Sequence, residues 1–591
     1  MGSSVGDALL DQLGELGVLV CFGVPGVHNL AFWVGAGVGR RPRVVGVRHE
    51  QAAGYAADAA ARATGGLGVA LTTTGPGFAN ALAAFGEAYA SFSPVVLISS
   101  ETPLASRRTS GHDDGLLHGM RSQADVITHG FGARAVSARS AREALSALPE
   151  LAAHALATGR PVYLGVPADI LAADRSTADA STEPHLLLAA DRSIADGSSS
   201  PDPLDAAASP GTPEVGSQAA AATGTSAADS LTDAPGVDAT AVAALADGLR
   251  GRRVALWLGA RAVPAEDAVR RLAGRLGALV VPTYQARGML ADYGGTVVAP
   301  PHEPRVAEAI AACDVLLVIG DDLHGMTTRN WRMPVPASIV AITDDPHASL
   351  GDYPLTARLV GDVGTLVAAL TAALDEAATE STAPDAAGLT AEVMHEVQDD
   401  ERTAPAADFV RAVDEGWPAA GALVVDMCIA GYWLGGYSHQ PRARRLQYPV
   451  GWGTLGYALP AAIGPAALGI PTLAVVGDGG AAMGLGELAT YAQEHLPLAL
   501  LVVTDGGYGM LRYDQTVAGD LHRGVDLVEP RWEDLGAAYG LKVVRTDDPG
   551  TGLARALTQA REGLTCGERW MVVLEQAFHP PRTTSPRWRE A

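Results

Sequence analysis

The residues that could do chemistry concentrate where apolar runs end in glycine and acid. Leu473-Ala474-Val475-Val476 runs into Gly477-Asp478-Gly479-Gly480, and after one helix-length segment Leu501-Val502-Val503 runs into Thr504-Asp505-Gly506-Gly507-Tyr508-Gly509. Two parallel strands joined by a helix end on the same edge of their sheet, which is where ligands bind in such folds. Asp478 and Asp505 would stand there as hard oxygen donors, together with backbone oxygen from the glycines. That set suits Mg²⁺, which takes few protein ligands and usually keeps a phosphate. Gly477, Gly479 and Gly480 add no side chains, so backbone N–H groups can come close to that phosphate. Gly-Asp-Gly alone is also what any tight strand-to-helix turn requires; the paired arrangement carries the reading.

A third carboxylate is placed in a similar way far upstream. In Val47-Arg48-His49-Glu50-Gln51 the acid follows a short apolar strand and opens an Ala-rich helix. An acid at that position is favoured by the helix dipole whatever its function. A polar stretch from Gly111 to Gln123 contributes His112, His118, Arg121 and Gln123. A neutral His there could carry a proton, although any single His is more often structural. Arg121 and Arg512 could each pair bidentately with a carboxylate.

The elements that must position these groups form three α/β blocks. Residues 1–170 alternate short apolar strands (Val18 to Gly23, Val44 to Val47, Gly68 to Leu71, Val95 to Ser99) with helix-length Ala-rich segments, the pattern of a parallel sheet. Residues 171–238 change to Ala, Ser, Asp, Pro, Gly and Thr, a composition that cannot build a core, and are expected to be a disordered linker or insertion. A second block spans 239–375, with strands at Val254 to Leu258, Ala278 to Val281, Val315 to Ile319 and Ile339 to Ile342. A connector is expected over 376–405. The third block, 406–591, has strands at Leu423 to Asp426, Thr472 to Val476, Ala499 to Thr504 and Met571 to Glu575. There is no short-period repeat.

The 591 residues suggest about three to four domains of ~150 residues each. Hydrophobic residues make up 48% and charged residues 18%, a balance that fits well-buried globular units. A formal net charge of −24 argues against nucleic-acid or anionic-membrane surfaces, which need basic patches. The 4 cysteines form no CxxC pair, so neither a disulfide framework nor a zinc site is indicated. No basic n-region with an apolar h-region opens the chain and no apolar run reaches ~18 residues, so a cytoplasmic location is expected.

The Gly477–Gly480 and Thr504–Gly509 pair resembles the diphosphate motif of thiamine-diphosphate enzymes. Phe22-Gly23-Val24-Pro25-Gly26, Glu50, Thr74-Gly75-Pro76-Gly77 and Asn80 resemble the same family, in the right order ahead of it. The three blocks together are similar to the acetolactate synthase, benzoylformate decarboxylase and pyruvate decarboxylase group over nearly the whole chain outside the linker. The resemblance implies a pyrimidine-binding domain, a central domain and a diphosphate-binding domain, the first and third being related folds. It implies thiamine diphosphate and Mg²⁺ as cofactors, with Asp478, the side chain of Asp505 and the Gly507 carbonyl on the metal. The family's Asn-Asn is Thr504-Asp505 here, so an extra negative charge lies beside the diphosphate. Glu50 becomes the acid that hydrogen-bonds N1′ of the aminopyrimidine and favours the 4′-imino form that deprotonates C2. Leu455, in Gly453-Thr454-Leu455-Gly456, takes the place of the aliphatic wedge that bends the cofactor. Pro25, Gly26, Gly75, Asn80, Gly453, Gly477, Gly479, Gly480 and Tyr508 fall at cofactor-contacting positions. Glu50 of one subunit would meet Asp478 of another, in a homodimer or homotetramer with sites at the interface.

The implied reaction is cleavage of a 2-oxo acid followed by carbanion protonation or carboligation, acetolactate synthase-like. His112, His118 and Gln123 fall where the family places active-site polar residues. His112-Asp113 departs from the paired histidines of pyruvate decarboxylases, and Arg121-Ser122-Gln123 from the Phe-Gln-Glu of acetolactate synthases. The His118 to Gln123 spacing looks more like decarboxylases of longer polar 2-oxo acids of the guanidino-oxopentanoate type, the alternative. A second alternative is a flavin-linked oxidase, since Leu258-Gly259-Ala260-Arg261 and Ile319-Gly320-Asp321-Asp322 fall where flavin-using relatives hold a nucleotide. Glycine at a strand end is expected in any case, and the reading goes against FAD. An inert cofactor-binding relative is disfavoured because Glu50 and the metal motif are both present.

Overall fold

Three parallel sheets, each covered by helices, organise the chain in the computed structural model, which describes residues 3–106, 119–120, 122–175, 238–345, 350–374 and 385–582. The first sheet holds β1 (Val20–Gly23), β2 (Arg43–Gly46), β3 (Gly68–Thr72), β4 (Val95–Glu101), β5 (Ala135–Ser137) and β6 (Val162–Pro167), in the order β2-β1-β3-β4-β6-β5. The central sheet holds β7 (Val254–Leu258), β8 (Leu279–Pro282), β9 (Val315–Ile319), β10 (Ser338–Thr343) and β11 (Ala357–Val360), ordered β11-β10-β9-β7-β8. The third holds β12 (Ala422–Val425), β13 (Leu446–Gln447), β14 (Thr472–Gly477), β15 (Leu498–Thr504), β16 (Lys542–Thr546) and β17 (Trp570–Glu575), ordered β13-β12-β14-β15-β17-β16. Numbered from its own first strand, the third sheet repeats the order of the first, which makes the two blocks the same fold. β5, β6, β11, β13 and β16 escape the sequence reading. Most are short or half-exposed, so they present no continuous apolar run.

Both six-stranded sheets reverse direction of winding between their first and third strands, and such a switch point opens a crevice at the strands' C-terminal ends. In the first sheet Pro25 and Gly26 follow β1, Glu50 follows β2, and Thr74-Gly75 follow β3. In the third, Asp426 follows β12, Gly477-Asp478 end β14, and Thr504-Asp505 end β15. The candidate residues therefore occupy two equivalent crevices.

The Ala-rich composition of helix Glu50–Thr64 has a packing cause. The helix is buried on nearly all sides, with Ala52, Ala53, Ala56, Ala57, Ala59 and Ala61 each at most 4% exposed. It lies against helix Pro76–Ala90 of its own block and against the short helices Ala458–Ala461 and Ile463–Ala467 of the third block. A Cβ on Gly54 would come within 2.5 Å of Ala84 Cβ, and one on Gly464 within 2.2 Å of the Ala56 carbonyl, so larger side chains would force the helices apart. One charged network is sealed in this seam. Arg62 pairs with Asp58 at 2.9 Å and Glu87 at 2.8 Å, and the Tyr457 hydroxyl donates to Asp58 at 2.7 Å. Breaking one member of such a buried set leaves an uncompensated charge.

Within the stretch read as a connector, Ala386–Asp399 is a helix with Val393 and Val397 buried. It packs on helix Ala404–Gly416 and anchors the central block to the third. Residues 176–237, the core of the expected linker, lie outside the described residues.

The central and third blocks meet around Glu303, which is fully buried and accepts hydrogen bonds from Tyr437 and from Arg582. Beside it His302 is 1% exposed, and burial, helped by Arg329 and Arg287, pushes its imidazole down to about 3. An unfolded chain takes up a proton on this residue below about pH 6.5, whereas the folded one does not until about 3. Its contribution to stability is therefore complete above pH 6.5 and is lost as pH falls toward 3. The expected loss is about 2–3 kcal/mol by pH 4.5. In urea titrations between pH 7 and 4.5, His302→Gln should flatten the acid slope by about one proton; an unchanged slope would show that other groups drive acid unfolding.

Candidate active site

The crevice of the third sheet is a cavity of about 190 Å³ whose floor is formed by the ends of β12, β14 and β15. Its walls are apolar, from Met427, Ile429, Leu455, Met510, Leu511 and Phe578, and its polar groups are largely carboxylates. Among the described residues no Arg, Lys or His lines it.

Asp478 sits at the start of helix Asp478–Gly484 and is 5% exposed. Oδ1 accepts from Gly479 N at 2.8 Å, and Oδ2 accepts from Gly506 N and Gly507 N at 2.9 Å each. The carboxylate thus ties the two glycine turns together. Burial, opposed by these N–H donors, still raises its affinity for a proton. Asp505 lies beside it, and burial together with the Asp478 charge pushes its carboxyl up to about 6. Its Oδ1 is buried and makes no hydrogen bond; the nearest cation, Arg512 Nη1, is 3.6 Å away. A buried carboxylate oxygen without a donor beside a second acid is what a hard cation would satisfy. Among the described residues no three His, Cys, Asp or Glu side chains form a closed metal cage. Any ion here must complete its shell with backbone oxygen, water or ligand oxygens.

Glycine is required sterically across this floor. A Cβ on Gly479 would meet the Tyr508 ring at 2.6 Å, and one on Gly509 would meet Asp505 Oδ2 at 2.3 Å. Gly477, Gly480, Gly507 and Tyr508 all line the cavity. Arg512, read as a possible substrate clamp, is used otherwise. It donates to the Asp505 carbonyl at 3.1 Å, the Gly506 carbonyl at 3.0 Å and Asp526 Oδ1 at 3.0 Å, which staples the loop.

Leu455 is 40% exposed and faces this cavity, so it is not the buried leucine that the bland reading of its loop would make it. Its loop turns through Gly453 (φ +74°) and Gly456 (φ +72°), a left-handed conformation that favours glycine. Asp426, which sequence reasoning passed over, holds that loop: Oδ1 accepts from Gly456 N and Oδ2 from Ala458 N, both at 3.1 Å. Burial pushes the Asp426 carboxyl up to about 6. Its position after a third strand of the same sheet was the available signal. The loop has a second tether. Gln51 donates to the Tyr55 hydroxyl at 2.8 Å, which lies 2.5 Å from Thr454 Oγ1, linking the Glu50 helix to the Leu455 loop of the same chain.

In the first crevice Glu50 is half-buried, and its Oε2 accepts from Asn80 Nδ2 at 3.0 Å. Asn80 therefore orients Glu50. Gly77 leaves room for the other oxygen, since a Cβ there would sit 3.2 Å from Glu50 Oε1. Gly26 packs against Thr73 and is held by Asn29, with Pro25 exposed beside it. Gly75 is buried at φ +61°, and its N–H donates to Gln123 Oε1 at 3.0 Å. Gln123 is 4% exposed, and its amide also donates to Tyr163 at 3.0 Å and the Ser100 carbonyl at 3.3 Å. Both polar atoms of its amide are engaged within the first block, and it supports the Gly75 turn. His112, His118 and Arg121 lie outside the described residues. No residue of this first crevice lines the cavity of the third sheet.

At the central strand ends several polar groups are taken by the protein itself. Arg261 N donates to the Gly320 carbonyl at 3.1 Å, and Arg261 Nη2 to the Ala157 carbonyl at 2.7 Å. Asp321 turns inward to Trp257 Nε1 at 2.9 Å and Leu323 N at 2.8 Å.

Comparisons with known proteins agree with this division of the chain. Residues 3–126 match the family described as thiamine pyrophosphate enzyme, N-terminal TPP binding domain, residues 241–370 its central domain, and residues 426–573 its C-terminal TPP binding domain. A probable 2-ketoarginine decarboxylase of Pseudomonas aeruginosa is 32% identical over 561 residues, covering 92% of this chain and 90% of the relative. An alpha-keto-acid decarboxylase of Mycolicibacterium paratuberculosis is 28% identical over 550 residues, covering 91% and 87%. An acetolactate synthase of Mycobacterium bovis is 34% identical over 166 residues, covering 28% and 26%.

Proposed function

This chain belongs to the thiamine pyrophosphate enzyme family, and from that premise we propose that it decarboxylates a 2-oxo acid with thiamine diphosphate and Mg²⁺ at a site assembled between two copies of itself. The observation that carries the reading is the Asp478–Asp505 pair, with its donorless buried oxygen, on a glycine floor beside an exposed Leu455. These groups fit the cofactor. Asp478, Asp505 and the Gly507 carbonyl would hold the metal, the N–H groups of the glycine floor would meet the diphosphate, and Leu455 would press on the ring system. Bound there, thiamine diphosphate supplies a nucleophilic carbon and an electron sink for the pair left when CO₂ departs. Glu50 of the partner copy would hold a proton at N1′, and Asn80 keeps its carboxylate aimed.

Two observations support a shared site. Among the described residues none of the first block lines the cavity, and apolar side chains stand exposed on both blocks, with Val27 at 84%, Val34 at 83% and Leu511 at 48%. A partner closing over the cavity would exclude water from the carbanion.

Acetolactate synthase-like carboligation and simple protonation share every step up to CO₂ loss. Decarboxylation is favoured by the span of the comparisons, since two decarboxylases match over nearly the whole chain and the acetolactate synthase over about a quarter, and a longer polar 2-oxo acid is supported by the name of one of the two, a probable 2-ketoarginine decarboxylase. The test is CO₂ release from a panel of 2-oxo acids, spanning pyruvate and branched, aromatic, acidic and guanidino side chains. Release that requires both thiamine diphosphate and Mg²⁺, with aldehyde as product, is expected. A hydroxyketone product would favour carboligation. Release from no acid would overturn the decarboxylase reading, and bound flavin in the purified protein would favour an oxidase.

A further inference from the structure

We propose that Glu487 is a positioning residue for Glu50: from the third block it fixes the turn that carries Glu50, and so aims that acid at the cofactor held by the other copy. The inference rests on the shared-site reading above. Glu487 ends the short turn Leu485–Glu487, is 2% exposed and is not among the residues that line the cavity. Its Oε1 accepts from Arg48 N at 2.9 Å, and its Oε2 accepts from Thr490 Oγ1 at 2.7 Å. Burial raises the affinity of this carboxyl for a proton, and the Thr490 hydroxyl and the Arg48 N–H oppose that rise. A buried carboxylate is tolerated only where its oxygens are hydrogen-bonded. Here one oxygen orients the group and the other is spent on the chain just ahead of Glu50.

That chain leaves its own sheet at this point. Val47 N still donates to the Gly23 carbonyl of the first sheet at 3.0 Å, and helix Glu50–Thr64 then starts with His49 as its cap. Between them the Arg48 N–H turns to the third block, where Glu487 receives it. The Arg48 side chain follows, donating to Gln493 Oε1 at 2.7 Å and back to the Gly46 carbonyl at 2.9 Å. The alanine-lined seam packs the two blocks closely, so Glu487 is a fixed post two residues ahead of Glu50. Asn80 then sets the carboxylate itself. A misplacement of about 1 Å at a reacting group can cost about 10²-fold in rate. The Glu487–Arg48 bond lies within one chain, whereas that chain's Glu50 serves the partner's cofactor. Glu487 should therefore act in the site that its own block does not hold.

The test follows CO₂ release from the fastest acid of the panel, using holoenzyme with thiamine diphosphate and Mg²⁺. Glu487→Met, which fills the space without an oxygen, should lower kcat by about 10–10²-fold, with KM and cofactor affinity moving only a few-fold. Glu487→Gln should retain most activity, since it keeps an oxygen for the Arg48 N–H and its amide can donate to the Thr490 hydroxyl. Mixed dimers, purified through two different tags, separate the sites. With Glu487→Met and Glu50→Gln on the same chain, about half of wild-type turnover should remain, because one of two equivalent sites is untouched. With the two substitutions on different chains, turnover should fall below about a tenth. The reverse pattern would mean that Glu487 supports its own block's cofactor and would overturn the proposal. So would equal turnover in both arrangements, or a Glu487→Met enzyme with unchanged kcat. If Glu487→Met does not fold, Glu487→Ala takes its place, and an inactive Glu487→Gln that still binds cofactor would also overturn the proposal. A Glu50→Gln chain paired with an Asp478→Asn chain checks the reading beneath: about half activity is expected of a shared site. None at all would place each site within one chain and strike at the shared-site reading, and the action across copies would fall with it.

Discussion

Glu50→Gln is expected to leave thiamine diphosphate bound and yet to lower CO₂ release by about 10²–10⁴-fold, the usual size of a lost acid–base partner. The substitution is close to isosteric, and Asn80 can still donate to the remaining side-chain oxygen, so the crevice should keep its shape. Thermal stability should therefore change by less than about 0.5 kcal/mol. Cofactor affinity should move only a few-fold, because on the proposed reading the diphosphate and metal would be held by the third block while Glu50 stands in the first. Isothermal titration for binding and CO₂ evolution for turnover separate the two effects. Turnover within about 10-fold of wild type would refute the assignment of Glu50, and weight would pass to His112 and His118.

Asp478→Asn should give the opposite pattern, abolishing retention of the cofactor while the apo protein remains folded. If Asp478 and Asp505 hold the metal as proposed, removing one of them should weaken Mg²⁺-dependent thiamine diphosphate binding by at least about 10²-fold, since even outer-shell changes at metal sites cost 10–100-fold. Apo stability should change little, because the relief of a buried anion and the amide oxygen that still accepts from Gly506 and Gly507 offset the loss of an acceptor for the Gly479 N–H. In wild type, saturating cofactor at ~100 Kd adds about 2.7 kcal/mol of stability, and the variant should lose that increment. Asp478→Ala should be worse in both respects, leaving three N–H donors unsatisfied at about 1–3 kcal/mol each. Asp505→Asn is the contrasting case. It removes the charge beside the diphosphate and keeps an oxygen ligand, so it should bind the cofactor at least as well as wild type. Weaker binding in that variant would refute the charge argument.

The sequence by itself determined the chemistry of the strand ends and the three-block α/β plan. Gly477-Asp478-Gly479 and Thr504-Asp505 are legible because a parallel sheet brings successive strand ends to one edge, so local pattern already implies proximity. Glu50 is legible for the same reason, as an acid between an apolar strand and a helix. The tertiary structure decided the pairings that join residues far apart in the chain, and these have no local signature. Asn80 turned out to orient Glu50, and Gln123 to support Gly75, because each amide finds its partner only after the first sheet has formed. Asp426 became the anchor of the Leu455 loop through N–H groups thirty residues away. Tyr55 and Thr454 are 399 residues apart in sequence and meet only because an alanine-covered helix lets the first and third blocks pack closely. Periodicity and strand-end composition follow from local backbone geometry, whereas the identity of a buried polar group's partner is a property of the packed chain.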